Sequence, residues 1–264
     1  MKALPGLVFI TGAGSGIGQA LALGYAREGA RLALAVRRPD EMRDWLAANL
    51  AGQSGHEVYQ ADVRQRDRIV AAGHQCLSKQ GVPDIVIAAA GVSVGVDSRE
   101  RADLEVMADV MDTNLLGTAA TFHPFIEPMQ RRGRGCLVGV ASVSAVRGLP
   151  GHGAYCASKA GVVAYCESLR LECRGSGVDV VTLLPGYVRT RLTAGNRYRM
   201  PFTLEADEFA RRAMRAIEAR ARHRVIPWPM ALLAALMRIA PGGVYDALAS
   251  RRGRKDRRPP GPES

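Results

Sequence analysis

Thr11-Gly12-Ala13-Gly14-Ser15-Gly16-Ile17-Gly18 follows directly on the apolar run Leu7-Val8-Phe9-Ile10 and opens a helical pattern over residues 17–27. Glycine reaches positive φ without a Cβ penalty and lets backbone approach a ligand closely. At a helix start, unpaired amides and the helix dipole together favour negative charge. A glycine cluster alone also describes a tight loop that binds nothing. Its place after the first strand of a strand–helix–strand unit is what turns it toward a dinucleotide pyrophosphate, with Gly12, Gly14, Ser15, Gly16, Ile17 and Gly18 as contacts.

Working outward, short apolar runs at 7–11, 31–36, 57–61 and 84–90 read as buried strands, separated by helix-length stretches at 17–27, 40–50 and 65–79. A helical region reaches about Arg131, then strand 136–141, helix 155–173, strand 178–184, helix 205–220 and a short strand 224–226 complete the alternation. This order predicts a doubly wound α/β domain of Rossmann type, its parallel sheet flanked by helices on both faces. The organisation is expected to be a nucleotide-binding catalytic domain over 1–227, a helical extension over 228–250, and a basic, disordered tail over 251–264.

Composition agrees. The 264 residues suffice for one large α/β domain; apolar residues make up 47% but aromatics only 5%, so the core is built from small aliphatic side chains. The net charge is +11, of which the segment from Arg251 holds six basic against two acidic residues. The remaining excess can steer a phosphorylated cofactor, and no recognition helix, zinc finger or basic-aromatic strand points to nucleic acid. Cys76, Cys136, Cys156, Cys166 and Cys173 have neither CxxC nor metal-ligand spacing and read as reduced thiols of a cytoplasmic protein with no metal site. Neither a signal peptide nor an 18-residue apolar span is visible.

Where an NAD site often carries an acid against the ribose hydroxyls, the second strand ends in Val36-Arg37-Arg38. A guanidinium fork suits a 2′-phosphate, so Arg37 and Arg38 point to NADP(H), against the alternative of a solvent-facing pair. Asp62, with Val63 beside it, ends the third strand; it either meets adenine or caps the helix starting near Gln65.

Tyr155 and Lys159 lie four apart and share a helix face. A nearby ammonium favours tyrosinate and eases proton exchange with an alcohol or carbonyl oxygen. Ser142, at the end of the preceding strand, can hold that oxygen as charge develops on it.

Together these segments resemble the classical short-chain dehydrogenases/reductases over roughly residues 7–226. The glycine motif is matched by Thr11 through Gly18, the YxxxK motif by Tyr155-Cys156-Ala157-Ser158-Lys159 with Ser142 upstream, and the tetrad asparagine by Asn114 in Thr113-Asn114-Leu115-Leu116-Gly117. The resemblance implies that Tyr155 is the general acid or base, that Lys159 depresses its pKa and binds the nicotinamide ribose, that Ser142 orients the reacting oxygen, and that Asn114 supports a water-mediated proton route. It further implies that Asp62 meets adenine, that Ala89 and Gly91 lie along the cofactor, and that Pro185, Gly186, Val188 and Thr190 seat the nicotinamide. The family's Asn-Ala-Gly after the fourth strand is here Ala88-Ala89-Ala90-Gly91, which puts local rigidity in doubt. A homo-oligomer, dimer or tetramer, is implied as well.

Substrate selection is expected from residues 143–150, mainly small or apolar, and from the loop after Pro185. That loop carries Tyr187, Leu192 and Tyr198 beside Arg189, Arg191, Arg197 and Arg199. This suggests a hydrophobic alcohol or carbonyl substrate with an acidic end in reach. The apolar face of Trp228, Leu232, Leu233, Leu236, Met237 and Ile239 is expected to pack on the domain, line the pocket, join subunits or touch an anionic membrane. Two further readings compete: a noncatalytic NADP(H)-binding redox-sensing or interaction protein, which needs none of the Ser-Tyr-Lys-Asn set, and a peripheral membrane-binding module driven by the basic segment.

Overall fold

The run Leu7-Val8-Phe9-Ile10-Thr11 forms strand β1 (Leu7–Thr11), buried at every position, in a computed structural model that describes residues 6–196, 199–251 and 253–257. After it come α1 (Gly16–Arg27), β2 (Arg31–Val36), α2 (Pro39–Asn49), β3 (Glu57–Gln60), α3 (Arg66–Lys79) and β4 (Ile85–Ala88). Next are α4 (Asp103–Met111), a π-helical turn Asp112–Leu116, α5 (Gly117–Arg132), β5 (Gly135–Val140), a short 3-10 turn Val143–Ala145, α6 (Gly153–Glu172) and β6 (Val178–Pro185). The chain continues through β7 (Val188–Arg189), β8 (Leu204–Glu205), α7 (Ala206–Glu218), β9 (His223–Ile226), α8 (Trp228–Ile239) and α9 (Gly242–Ala249).

Seven of these strands form one parallel sheet in the order β3-β2-β1-β4-β5-β6-β9. The strands are continuously apolar because both faces are covered. Val8 and Ile10 point into a core with Leu21 and Tyr25 of α1 and Phe209, Ala213 and Ile217 of α7. Phe9 points the other way, among Ile69 of α3, Phe122 and Phe125 of α5 and Val162 of α6. The Phe9 and Phe125 rings lie 4.7 Å apart, and each fully buried side chain of this kind contributes about 1.5–3 kcal/mol. Thr11 is level with Ala35 on β2 and with Ala88 on β4, so the three strands end together where the chain order reverses about β1. That is the crevice in which open parallel sheets bind ligands.

Element boundaries shift from expectation for local reasons. Helix α2 starts one residue early because Pro39 suits a first helical position. The expected strand 84–90 stops at Ala88, and residues 89–92 form a loop. The β7–β8 pair was not foreseen, since two-residue strands have no readable period.

The 228–250 extension forms α8 and α9. Met230 and Ala234 are buried and Met230 lies against Gly186, whereas Trp228, Leu232, Leu236 and Ile239 stay exposed. Among the described residues, no helix is long and apolar enough to cross a membrane. The expectation of a disordered basic tail is corrected for residues 253–257: Gly95 N–H donates to the Asp256 carbonyl at 3.1 Å, and Arg257 clasps Asp103 at 2.7 and 2.9 Å. Residues 258–264 of that tail, like Arg197 and Tyr198, lie outside the described residues.

Candidate active site

At the carboxyl ends of β1, β4, β5 and β6 lies a cleft of about 660 Å³. Its floor is the glycine loop. Gly12 has φ +71°, and a Cβ there would sit 2.6 Å from the Ala90 amide nitrogen; one on Gly18 would sit 2.4 Å from the Gly12 carbonyl oxygen. Side chains at these two positions are thus excluded by the protein's own backbone, which keeps the loop tight at the end of β4. The Ser15 hydroxyl does not cap α1 and the first turn contains no acid, so the orphan amides at this helix start face a wall without competing negative charge. Gly14, Ser15, Gly16 and Ile17 line the same wall, and a Cβ on Gly16 would touch Thr190 Cγ2 at 3.0 Å.

Arg37 and Arg38 line the cleft where β2 ends. Arg38 is bound to Glu41 at 2.9 Å, leaving Arg37 the better placed of the two for a ligand. Asp62 and Val63 also line the wall. Asp62 does not cap α3: its carboxylate is engaged by Arg64 at 2.8 Å, which holds its pKa below the ordinary carboxylate range. Any adenine contact by Asp62 is therefore shared with Arg64, a cleft residue the sequence did not single out.

Ala89 and Gly91 lie on the wall between the glycine loop and Lys159. The loop after β4, which carries Ala89, is held by Asn114. Fully buried on the π turn, Asn114 accepts the Val92 N–H through Oδ1 at 2.8 Å; its Nδ2 donates to the Val92 carbonyl at 3.0 Å and to Ser158 Oγ at 2.9 Å. It does not line the cleft; a Cβ on Gly91 would lie 3.2 Å from Asn114 Oδ1 and 3.4 Å from Lys159 Nζ.

Ser142, Tyr155 and Lys159 converge on the cleft. Ser142 Oγ accepts the Ser144 N–H at 3.1 Å and is hydrogen-bonded to the Tyr155 hydroxyl. Burial raises the Tyr155 pKa, and Ser142 pulls it back down. Lys159 is itself desolvated, with its pKa pushed down to about 8; its Nζ donates to the Val140 carbonyl at 2.8 Å and lies 5.9 Å from the centre of the Tyr155 ring. Pro185, Gly186, Val188 and Thr190 close the opposite side. Val188 is pinned by its pairing with Leu204, and the Gly186 N–H by the Ile226 carbonyl at 2.8 Å.

Sequence reasoning missed His152, Asn196, Gly253 and Lys255, which line the cleft near the substrate loops. His152 lies two residues beyond the suspected run 143–150 and only three before Tyr155. Lys255 gave no signal, because only tertiary contact brings it there.

A family model described as short chain dehydrogenase matches residues 6–200. An uncharacterised oxidoreductase from Myxococcus xanthus is 36% identical over 92% of this chain and 95% of the relative. D-threitol dehydrogenase from Mycolicibacterium smegmatis is 37% identical over 70% of this chain and 71% of its own. Among solved structures, a short-chain dehydrogenase from Streptomyces avermitilis superposes with TM-score 0.76 at 20% identity, covering 92% and 94% of the two chains, a likeness of fold. An alcohol dehydrogenase from Thermococcus sibiricus complexed with 5-hydroxy-NADP gives TM-score 0.73 at 27% identity, covering 83% and 95%. With a family match over most of its length and relatives of like length, the chain belongs to the classical short-chain dehydrogenases, a family of oxidoreductases.

Proposed function

We propose that the protein is an NADP(H)-dependent oxidoreductase acting on an apolar alcohol or carbonyl compound, with Tyr155 moving the proton. The observation that carries this reading is that Ser142, Tyr155 and Lys159 face the same cleft as the side-chain-free glycine floor. The donor set fits the cofactor: glycine backbone and a helix start suit a pyrophosphate, and Arg37 suits a 2′-phosphate. Gly91, Pro185, Gly186, Val188 and Thr190 would flank the nicotinamide. Bound there, the nicotinamide supplies or accepts the hydride.

The chain's own residues do the rest. In reduction Tyr155 gives its proton to the substrate oxygen, and in oxidation it takes that proton back. Ser142, already bonded to the same hydroxyl, orients the oxygen and opposes the effect of burial on Tyr155. Lys159 holds positive charge beneath the site, and Asn114 keeps the loop after β4 from collapsing onto it. Leu149 and Leu192 on the cleft wall favour an apolar substrate body.

The exposed face of α8 supports a homo-oligomer, dimer or tetramer, with peripheral contact to an anionic membrane as its competitor. Fluorescence titration with NADPH and NADH tests the cofactor reading: tighter NADPH binding supports it and tighter NADH binding refutes it. Failure of folded protein to bind either moves the noncatalytic reading to the front.

A further inference from the structure

The segment from Gly253 to Arg257 is built into the catalytic domain. Arg257 pairs with Asp103, whose side chain is only 7% exposed, and Arg254 reaches Asp97 at 3.4 Å. Two glycines leave room for this segment: a Cβ on Gly95 would lie 2.3 Å from the Lys255 carbonyl oxygen, and one on Gly151 would lie 3.0 Å from the Lys255 amide nitrogen. Between these anchors Lys255 is half-buried and lines the cleft.

Its neighbours locate it at the substrate end. Gly151 belongs to the loop after Ser142, and Asn196, whose Oδ1 accepts from Lys255 Nζ at 2.5 Å, belongs to the loop after Pro185. That partner is neutral. Asp256, next in sequence, is exposed and is not on the cleft wall. The carboxylates that are on it, Glu41, Asp62 and Asp109, stand toward the ends of β2 and β3, paired with Arg38 or Arg64. Among the described residues the cleft is therefore polarised, with Lys255 and Arg191 cationic groups on its wall away from those carboxylates.

Resting on the oxidoreductase reading, we propose that Lys255 is a specificity-determining residue: its ammonium, steadied by Asn196, binds an anionic group, carboxylate or phosphate, at the end of the substrate remote from the reacting oxygen. A partly desolvated ammonium whose side-chain partner is an uncharged amide gains most from an anion, because the ion pair adds an opposite charge that Asn196 does not supply. Leu149 and Leu192 cover the apolar stretch between the two ends.

Isothermal titration with butanoate, octanoate and laurate, with the matching alkyl phosphates and with the matching alcohols tests this on wild type, Lys255→Met and Lys255→Arg. Each titration is run with and without NADP⁺, whose own binding is measured first, so the anion preference is scored whichever way the cofactor reading falls. The expected result is that wild type binds at least one anion about ten-fold or more tighter than its alcohol, that Lys255→Met loses this preference and that Lys255→Arg keeps it. The tighter of the carboxylate and phosphate series identifies the group. Equal binding of anion and alcohol by wild type, or a preference that survives in Lys255→Met, overturns the assignment.

Discussion

The ammonium of Lys159 donates to the carbonyl oxygen of Val140 at 2.8 Å, tying the first turns of α6 to the end of β5 beneath Tyr155. The group is 5% exposed, and burial lowers its pKa to about 8. Its charge is therefore held at a cost below pH 8. Between the folded pKa and the ordinary lysine value, the unfolded chain binds more protons than the folded one, so this residue's contribution to stability rises with pH.

The comparison with Lys159→Met isolates that effect, because other titrations cancel between the two proteins. In the absence of cofactor, the stability of wild type relative to the variant is expected to rise by about 1–2 kcal/mol between pH 7.5 and 9.5. Urea denaturation at the two pH values measures it. A difference that stays flat contradicts a depressed Lys159.

Ser142 is what restrains the rise in the Tyr155 pKa. Removing it in Ser142→Ala leaves burial unopposed. Alcohol oxidation, which needs the deprotonated tyrosine, is then expected to shift its pH–rate profile upward and to slow by about 10²-fold from loss of one oxygen-directed donor. A profile that moves to lower pH rules this arrangement out.

Asn114 satisfies both backbone groups of Val92 and reaches Ser158. Asn114→Ala leaves those part-buried groups of Val92 without this partner, so a loss of about 1–3 kcal/mol in unfolding free energy is expected. Thermal and urea unfolding check it; a loss below about 0.5 kcal/mol, the ordinary scale of surface changes, refutes the anchoring role.

How far these features were readable depends on whether the signal was local. The alternation of strands and helices, the Gly12–Gly18 turn and the four-residue step from Tyr155 to Lys159 are written in contiguous residues, where period and spacing speak directly. The anchoring of the loop after β4 by Asn114 was not legible because its partner, Val92, stands twenty-two residues away and meets it only once the π turn forms. Arg64 was passed over because a basic loop residue has no signature until Asp62 turns toward it. Lys255 lay in an Arg-, Gly- and Pro-rich stretch whose composition suggests disorder, and contacts distant in sequence, among them Asp103 and Asp97 more than 150 positions earlier, bring it to the cleft.

Arg37 stands at the end of β2, lines the cleft and is not drawn into the pairing that holds Arg38 on Glu41. Arg37→Ala is expected to weaken NADPH binding by about 10–100-fold while changing NADH binding by less than about three-fold, the worth of a charge-assisted contact to phosphate. Competitive fluorescence titration reads both constants. Equal weakening of the two removes Arg37 as the discriminating residue.

The most direct measurement is NADPH consumption by wild type and Tyr155→Phe in single turnover with a carbonyl substrate that wild type reduces, paired with NADPH titration of both proteins. The expected result is a rate lower by about 10²–10⁴-fold in the variant with NADPH affinity unchanged within a few-fold, since only the proton donor is lost. Turnover retained at the wild-type rate would contradict Tyr155 as the group that moves the proton, and with it the central claim.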